Sequence, residues 1–214
     1  MTNNPSSPIT LPDVCQQRIS ELLASGGRKI LGIVAPPGAG KSTLALALLA
    51  QYGTPVQVVP MDGFHLANSE LLRLGRSSRK GAPDTFDAAG FANLLHRLHT
   101  QVAPEVVYAP DFRRDLEEPI AGAIAISAGT PLIITEGNYL LLDDTPWAKV
   151  HGELDETWYL DVDEALRHER LLSRHMRFGR SPERALAWIA STDQPNAVCI
   201  ANTRHKADLW VPWS

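Results

Sequence analysis

The architecture of this chain follows from nine consecutive residues, Ala35-Pro36-Pro37-Gly38-Ala39-Gly40-Lys41-Ser42-Thr43. They fit the phosphate-binding pattern G-x-x-x-x-G-K-[ST], with alanine in place of the first glycine. The glycines let the backbone turn so that successive N–H groups point at phosphate oxygens, and the helix that follows adds its positive N-terminal end. The lysine supplies a cation for the β- and γ-phosphates, and the serine hydroxyl is placed to coordinate Mg²⁺. We therefore predict that a nucleoside triphosphate binds at Pro37, Gly38, Ala39, Gly40, Lys41, Ser42 and Thr43.

The segments on both sides of this loop predict alternating strands and helices. Short apolar stretches predict strands at 29–35, 56–60, 132–135, 157–160 and 209–211. The apolar patterns predict helices at 11–25, 42–51, 66–74, 87–101, 163–176 and 181–191, with a shorter one after Pro195. This alternation is typical of a parallel sheet with helices on both faces. The predicted fold class is α/β, a three-layer P-loop NTPase fold with a mostly parallel central sheet.

Composition narrows the class of protein further. The 214 residues include 20 Lys and Arg against 24 Asp and Glu, and this net-acidic balance disfavours nucleic acid as a partner. The two cysteines, Cys15 and Cys199, have no metal-ligand or disulfide pattern, which favours a reducing compartment. The N-terminus lacks a signal-peptide pattern, and the apolar runs are far shorter than the ~20 residues of a membrane span. We expect a cytoplasmic protein without a membrane partner, with a flexible tail at 1–10 and a single domain at 11–214.

Two acidic residues follow predicted strands. Asp62 comes after the second strand, and Glu136 after the third. The carboxyl ends of parallel strands meet at the ligand-binding edge of an open α/β sheet. Asp62 is therefore a candidate to accept the proton of an attacking hydroxyl, and Glu136 to hold a Mg²⁺-bound water. The alternatives are an Asp-Gly turn that closes the strand and a surface acid.

Three motifs in order resemble a known superfamily. They are Met61-Asp62-Gly63-Phe64-His65, then Arg79-Lys80-Gly81-Ala82-Pro83-Asp84-Thr85-Phe86-Asp87, then Glu136-Gly137-Asn138-Tyr139. Together they resemble the phosphoribulokinase, uridine kinase and bacterial pantothenate kinase superfamily. The closest likeness is to its small bacterial nucleoside/nucleotide kinase-like, fructose-transport-associated (fructokinase-like) members, from about residue 10 to the C-terminus.

The resemblance implies an activity. It implies an enzyme that uses ATP and Mg²⁺ to phosphorylate a hydroxyl of a small metabolite, with a sugar such as fructose as the favoured acceptor. A nucleoside kinase and a pantothenate kinase-like enzyme remain alternatives. A regulatory nucleotide-binding ATPase is the alternative from another class. The resemblance also leaves a homodimer open.

The resemblance further implies roles for individual residues. The implied acceptor site consists of Asp62, His65, Arg79, Lys80, Asp84, Tyr108, Asp111 and Asn138. Tyr108 and Asp111 belong to the stretch 108–114, where relatives carry Asp-Arg in place of Arg113-Arg114, so that Asp111 is the candidate to replace the missing acid. Arg204 lies in a segment that resembles one bordering the adenine in relatives.

An arginine-rich segment resembles the helical lid of the superfamily. Arg167, Arg170, Arg174 and Arg177 are three or four residues apart, which puts them on one side of a helix, and Arg180 follows Gly179. The lid is predicted at about 174–184, with Arg174 and Arg177 neutralising the transferred group and Arg180 on the nucleotide. A solvated face paired with nearby glutamates is the alternative. We expect ten of the 20 cationic side chains to face one bound triphosphate: Arg73, Arg76, Arg79, Lys80, Arg167, Arg170, Arg174, Arg177, Arg180 and Arg184.

Overall fold

A computed structural model describes residues 9–214, and residues 1–8 of the predicted tail lie outside this range. The helices and strands follow one another in the order α1 (Asp13–Ala24), β1 (Lys29–Val34), α2 (Lys41–Tyr52), β2 (Val56–Pro60), α3 (Asn68–Arg73), α4 (Ala88–Thr100), β3 (Val106–Arg113), β4 (Glu118–Ser127), β5 (Leu132–Gly137), α5 (Trp147–His151), β6 (Glu156–Asp161), α6 (Glu164–Arg177), α7 (Pro182–Trp188), α8 (Gln194–Ala201) and β7 (Leu209–Pro212). A π-helical turn at Ile189–Asp193 joins α7 to α8.

Five strands form one parallel sheet in the order β2-β5-β1-β6-β7. All six residues of β5 are buried, which explains why this strand is a continuous apolar run up to its polar end. Glu136 pairs with Ile33 of β1 on one side and with Pro60 of β2 on the other. The loops that follow β1, β2 and β5 therefore meet at one edge of the sheet. This arrangement confirms the predicted α/β fold with a mostly parallel sheet.

The core consists of two apolar layers, one on each face of the sheet. Successive side chains of β1 point to opposite faces, so that Ile30 packs in one layer and Leu31 in the other. The first layer includes Phe91 of α4, and the second includes Leu44 of α2. The sheet with its two helical layers makes the predicted three-layer architecture. Across residues 9–214, no helix combines the length and the apolar character needed to cross a bilayer.

Three elements were not predicted from the sequence: the short helix α5 and the two strands β3 and β4, which form an antiparallel hairpin. The acidic pair Glu117-Glu118 before Pro119 is typical of the start of a helix. A helix predicted there is wrong. Glu117 has a φ of 53° in the turn of the hairpin, and Glu118 begins β4. Most of β4 is exposed or half-buried, so it lacks the apolar pattern that marks the strands of the main sheet.

Candidate active site

The loop between β1 and α2 forms the floor of a cavity of about 600 Å³ at the carboxyl edge of the sheet. Gly38 and Gly40 have φ angles of 84° and 95°, in the left-handed region that favours glycine. A Cβ atom on Gly40 would also lie 2.6 Å from Nε1 of Trp213, whose ring lines the same cavity. The backbone conformation and the close indole both explain why glycine occupies this position.

The ammonium group of Lys41 is buried within this loop. It donates hydrogen bonds to the carbonyl oxygens of Ala35 (2.8 Å) and Pro36 (3.2 Å) and to Oδ1 of Asn138 (2.7 Å). Burial lowers the pKa of Lys41 to about 8, although the negative charges of Glu136 and Asp62 oppose this shift. A phosphate group in the cavity would restore the balance in favour of the charged lysine.

Ser42 and Glu136 form a pair of hard oxygen donors beside this lysine. The Ser42 hydroxyl donates to Oε1 of Glu136 over 2.7 Å. Burial and the charge of Asp62 raise the pKa of Glu136 above its ordinary value, even though Lys41 and the serine hydroxyl act in the opposite direction. Hydroxyl and carboxylate oxygens are ligands that Mg²⁺ prefers, and a divalent cation would offset the repulsion between the two acids. The donor set therefore fits Mg²⁺.

Asp62 lies two residues beyond the end of β2 and lines the same cavity. Nη2 of Arg114 donates to its Oδ2 over 2.8 Å, and the pair is half-exposed. Burial acts to raise the pKa of Asp62, but the positive charges of His65 and Arg114 outweigh it, and the pKa lies below its ordinary value. Asp62 is therefore ionised at neutral pH and able to accept a proton.

The arginines of α6 do not share one environment. Arg167 is fully buried behind the loop, where Nη1 donates to the Pro37 carbonyl (3.2 Å) and Nη2 to Oε1 of Gln194 (2.7 Å). Arg170 and Arg174 line the cavity of about 600 Å³ above the phosphate-binding loop, which we call the nucleotide cavity. Nη1 of Arg170 is buried and has no hydrogen-bond partner among residues 9–214. A buried donor normally has a partner, and a phosphate oxygen bound in this cavity would be one.

The expectation that ten cations face one triphosphate is wrong. The carboxylates of Glu70 and Asp84 pair with three of them, Arg73, Arg76 and Arg79, at the protein surface. Of the ten, the described lining of the nucleotide cavity includes Arg170 and Arg174. A helix presents only part of its circumference to one cavity, and nearby acids neutralise the surface cations first.

A second cavity, of about 440 Å³, adjoins the first because Arg114 lines both. It brings together two of the predicted acceptor residues, His65 and Lys80, with Arg180 of the predicted lid. Asn138 lines the nucleotide cavity, where it binds Lys41.

Seven predicted residues line neither cavity in the structure, and one of them, Ala39, is buried within the phosphate-binding loop. Arg79 and Asp84 bind each other at 2.5 Å, and Tyr108 is 58% exposed on β3. Asp111 accepts a hydrogen bond from the backbone N–H of the next residue (2.8 Å), and Arg177 is exposed on α6. Arg204 lies over the ring of Trp210 (5.1 Å) and lines a smaller cavity behind the phosphate-binding loop. The roles predicted for these residues remain predictions.

Several residues that line the two cavities were not predicted from the sequence, among them Arg114, His175 and Trp213. Arg114 is 52 positions from Asp62 in the sequence and reaches it because β3 ends beside the loop after β2. The signal that could have found it is its place in the stretch 108–114, where relatives carry an arginine beside an acid.

Comparisons with known proteins identify several relatives, although no family model matches the chain. The ATP-dependent kinase-like protein notR′ of Aspergillus versicolor is 37% identical over 71% of this chain and 93% of its own length. A "putative uridine kinase" of Schizosaccharomyces pombe is 35% identical over 78% of this chain and 74% of its own length. The crystal structure of a "putative fructose transport system kinase" from Silicibacter sp. TM1040 superposes with a TM-score of 0.81 at 40% identity, covering 93% of this chain and 98% of that one.

Proposed function

Because this chain belongs to the ATP-dependent, uridine kinase-like P-loop kinases, we propose that it transfers the γ-phosphoryl group of ATP to a hydroxyl of a small metabolite, with Asp62 as the proton acceptor. One observation carries the proposal. The ionised carboxylate of Asp62 lines the nucleotide cavity, while its partner Arg114 also lines the adjoining second cavity. A hydroxyl that enters from the second cavity would meet Asp62 next to the γ-phosphate.

The residues of this chain divide the work of transfer among themselves. The backbone N–H groups of the loop and Lys41 bind the phosphates, and Arg170 and Arg174 face the same cavity and offset the negative charge of the transferred group. Arg114 occupies Oδ2 of Asp62 and so orients Oδ1 to take the hydroxyl proton. Phosphoryl transfer depends mostly on positioning and electrostatics, so this set of groups is sufficient for the chemistry.

Mg²⁺ is part of the proposal. Ser42 and Glu136 would hold the ion, directly or through water, beside the phosphates. When bound, the ion supplies positive charge that stabilises the β- and γ-phosphates. Assay without a divalent cation should therefore abolish transfer.

The acceptor is proposed to be a sugar or a sugar derivative. The names of two relatives support this class: fructose is a sugar, and uridine carries ribose hydroxyls. A polyol also suits a site in which one hydroxyl must reach Asp62 while the rest of the molecule occupies the second cavity.

The experiment that tests the proposal compares two matched Asp→Asn variants. ADP release and mass spectrometry of the products are measured over a panel of sugars, sugar acids, sugar phosphates and nucleosides. Asp62→Asn keeps the size of the side chain but loses its basicity, so kcat should fall by roughly 10²- to 10⁴-fold while ATP still binds. Asp115→Asn, which changes an exposed acid paired with Arg113, should leave kcat unchanged.

Two results would count against the proposal. If Asp62→Asn retained the kcat of the wild type, Asp62 would not be the base. If ATP were consumed without a phosphorylated acceptor, and a protein partner stimulated this consumption, the result would favour the alternative function, a regulatory nucleotide-binding ATPase, over a kinase.

A further inference from the structure

We propose that the acceptor carries an anionic group, a carboxylate or a phosphate, and that Lys80 and Arg180 bind this group in the second cavity. The inference rests on the proposed function, because it assumes that the acceptor hydroxyl reaches Asp62 from this cavity. It goes further because it assigns a negative charge to the acceptor and names the residues that bind the charged group.

The second cavity has the size and the walls of a metabolite site. Its volume of about 440 Å³ lies within the usual range for small-molecule pockets. Aromatic rings of Phe112, Phe178 and Trp188 line it and offer apolar contact to a carbon skeleton. The charged groups at its wall are mainly positive, with Glu117 as the acid among the lining residues.

Lys80 is a cation without a carboxylate partner. Its Nζ donates to Oδ1 of Asn68 (2.7 Å) and to the backbone carbonyl of Glu117 (2.6 Å), both neutral oxygens. An ammonium has three N–H donors, so one remains for a ligand. Among residues 9–214, no carboxylate oxygen lies within 4.0 Å of this nitrogen. Burial lowers the pKa of Lys80, and the charges of Glu117 and Glu118 only partly oppose this shift, so a bound anion would stabilise the charged form.

Arg180 is held in the cavity wall by a chain of buried contacts. Oδ2 of Asp193 lies 2.7 Å from Nε2 of His175, and Nδ1 of the same ring lies 2.8 Å from Nη1 of Arg180. Arginine can only donate, so Nδ1 accepts and the proton on Nε2 goes to Asp193, which makes His175 a neutral ring in this arrangement. The guanidinium also stacks 4.0 Å from the ring centroid of Trp188. These contacts fix the plane of the guanidinium and leave further N–H groups for a ligand.

The set of groups discriminates between an anionic and a neutral acceptor. Partly buried cations are costly unless they are paired, and Arg114 is already paired with Asp62. Lys80 and Arg180 remain, and an anionic group on the substrate would pair with both. The hydroxyls of a neutral sugar would leave both charges uncompensated. Asp193 lies behind His175, and the exposed Glu117 at the wall forms no ion pair with either cation among residues 9–214, so neither acid is a direct partner of Lys80 or Arg180.

The first experiment identifies the charge of the acceptor without naming it in advance. A deproteinised metabolite extract is separated by anion exchange into a neutral and an anionic fraction, and each is incubated with the purified enzyme, Mg²⁺ and γ-³²P-ATP. The label is expected in a product formed from the anionic fraction. Treating this fraction with alkaline phosphatase, and removing the phosphatase before the assay, distinguishes the two sources. Labelling is lost if the anion is a phosphate monoester and kept if it is a carboxylate.

Two other outcomes have separate meanings. A labelled product that arises from the neutral fraction and not from the anionic one would overturn the inference and leave the proposed function intact. The absence of a labelled product from both fractions would overturn the proposed function itself, and the inference with it.

Variants of the two cations test the assignment of residues. With the anionic acceptor, Lys80→Gln and Arg180→Gln should each raise the KM of the acceptor by about tenfold to a hundredfold, because a charge-assisted hydrogen bond is lost. The KM of ATP should change by less than about twofold. Lys149→Gln, which removes an exposed cation on α5, is the matched control and should change neither KM. An unchanged acceptor KM in both Lys80→Gln and Arg180→Gln would overturn the assignment.

Discussion

Replacing Arg167 tests whether α6 holds the phosphate-binding loop from behind. The side chain is 1% exposed and joins three partners, the Pro37 carbonyl in the loop, Gln194 of α8 and Glu164 of its own helix. Arg167→Met keeps most of the apolar stem but removes every donor. It leaves the loop carbonyl without its arginine donor, and it leaves Oε1 of the half-buried Gln194 with Nε2 of His168 (3.1 Å) as its neighbour.

The size of the effect follows from these contacts. Hydrogen bonds to a charged group contribute about 1.5–3 kcal/mol each, and two of them are lost to the loop and to α8. The ion pair with Glu164 adds little, because the side chain of this acid is 64% exposed. We expect the free energy of unfolding to fall by about 3–5 kcal/mol. In a domain of this size that loss lowers the Tm by roughly 10 °C.

The assay combines thermal and urea unfolding, followed by circular dichroism, with the KM of ATP. Arg167→Met should lower stability and raise the KM of ATP, because the loop loses its support. Glu164→Gln removes the exposed partner and should cost less than about 1 kcal/mol. Arg167→Lys keeps the charge but cannot reach all partners from one nitrogen, so it should fall between the two. An Arg167→Met protein with the stability and the ATP affinity of the wild type would refute the reasoning.

Two further predictions concern the loop itself. Because burial lowers the pKa of Lys41 to about 8, the free enzyme loses this charge above pH 8, whereas bound phosphates keep the lysine protonated. The KM of ATP should therefore be constant below about pH 7.5 and rise by up to about tenfold per unit above pH 8, and a profile that is flat to about pH 10 would contradict this. Gly40→Ala should cost roughly 2–5 kcal/mol in urea unfolding, since its φ is 95° and its Cβ would lie 2.6 Å from Trp213, whereas Gly26→Ala, with a φ of 76° and open space, should cost roughly 1–2. Equal costs for the two variants would show that the contact with Trp213 does not matter.

The main sheet was predictable because its strands consist mainly of short runs of apolar residues that can be recognised in the sequence. The residues of β5 are all buried, so the strand reads as apolar up to Glu136 whatever surrounds it. The hairpin escaped prediction for the opposite reason. Its strand β4 is mostly exposed or half-buried, and exposure removes the pattern from which strands are read.

The candidate site was predictable where the chemistry is local. Residues 35–43 form the phosphate-binding loop because two glycines, Gly38 and Gly40, and the start of a helix suffice to turn the backbone around a phosphate. Asp62 and Glu136 lie together because neighbouring parallel strands end at the same edge. The arginines predicted to lie on one helix do lie on α6. Their spacing, however, does not tell which cavity each side chain faces.

The sequence by itself thus determined the fold class, the phosphate-binding loop and the two acids at the edge of the sheet. Consecutive residues and strand ends decide these features, and both are readable along the chain. Only the tertiary structure decided which cations are free for a ligand. Arg167 binds the back of the loop and Arg79 pairs with Asp84, whereas Lys80 and Arg180 face the second cavity and form no ion pair among residues 9–214. The interaction between two charges depends on their distance in space, and the distance between the two residues in the sequence does not predict it.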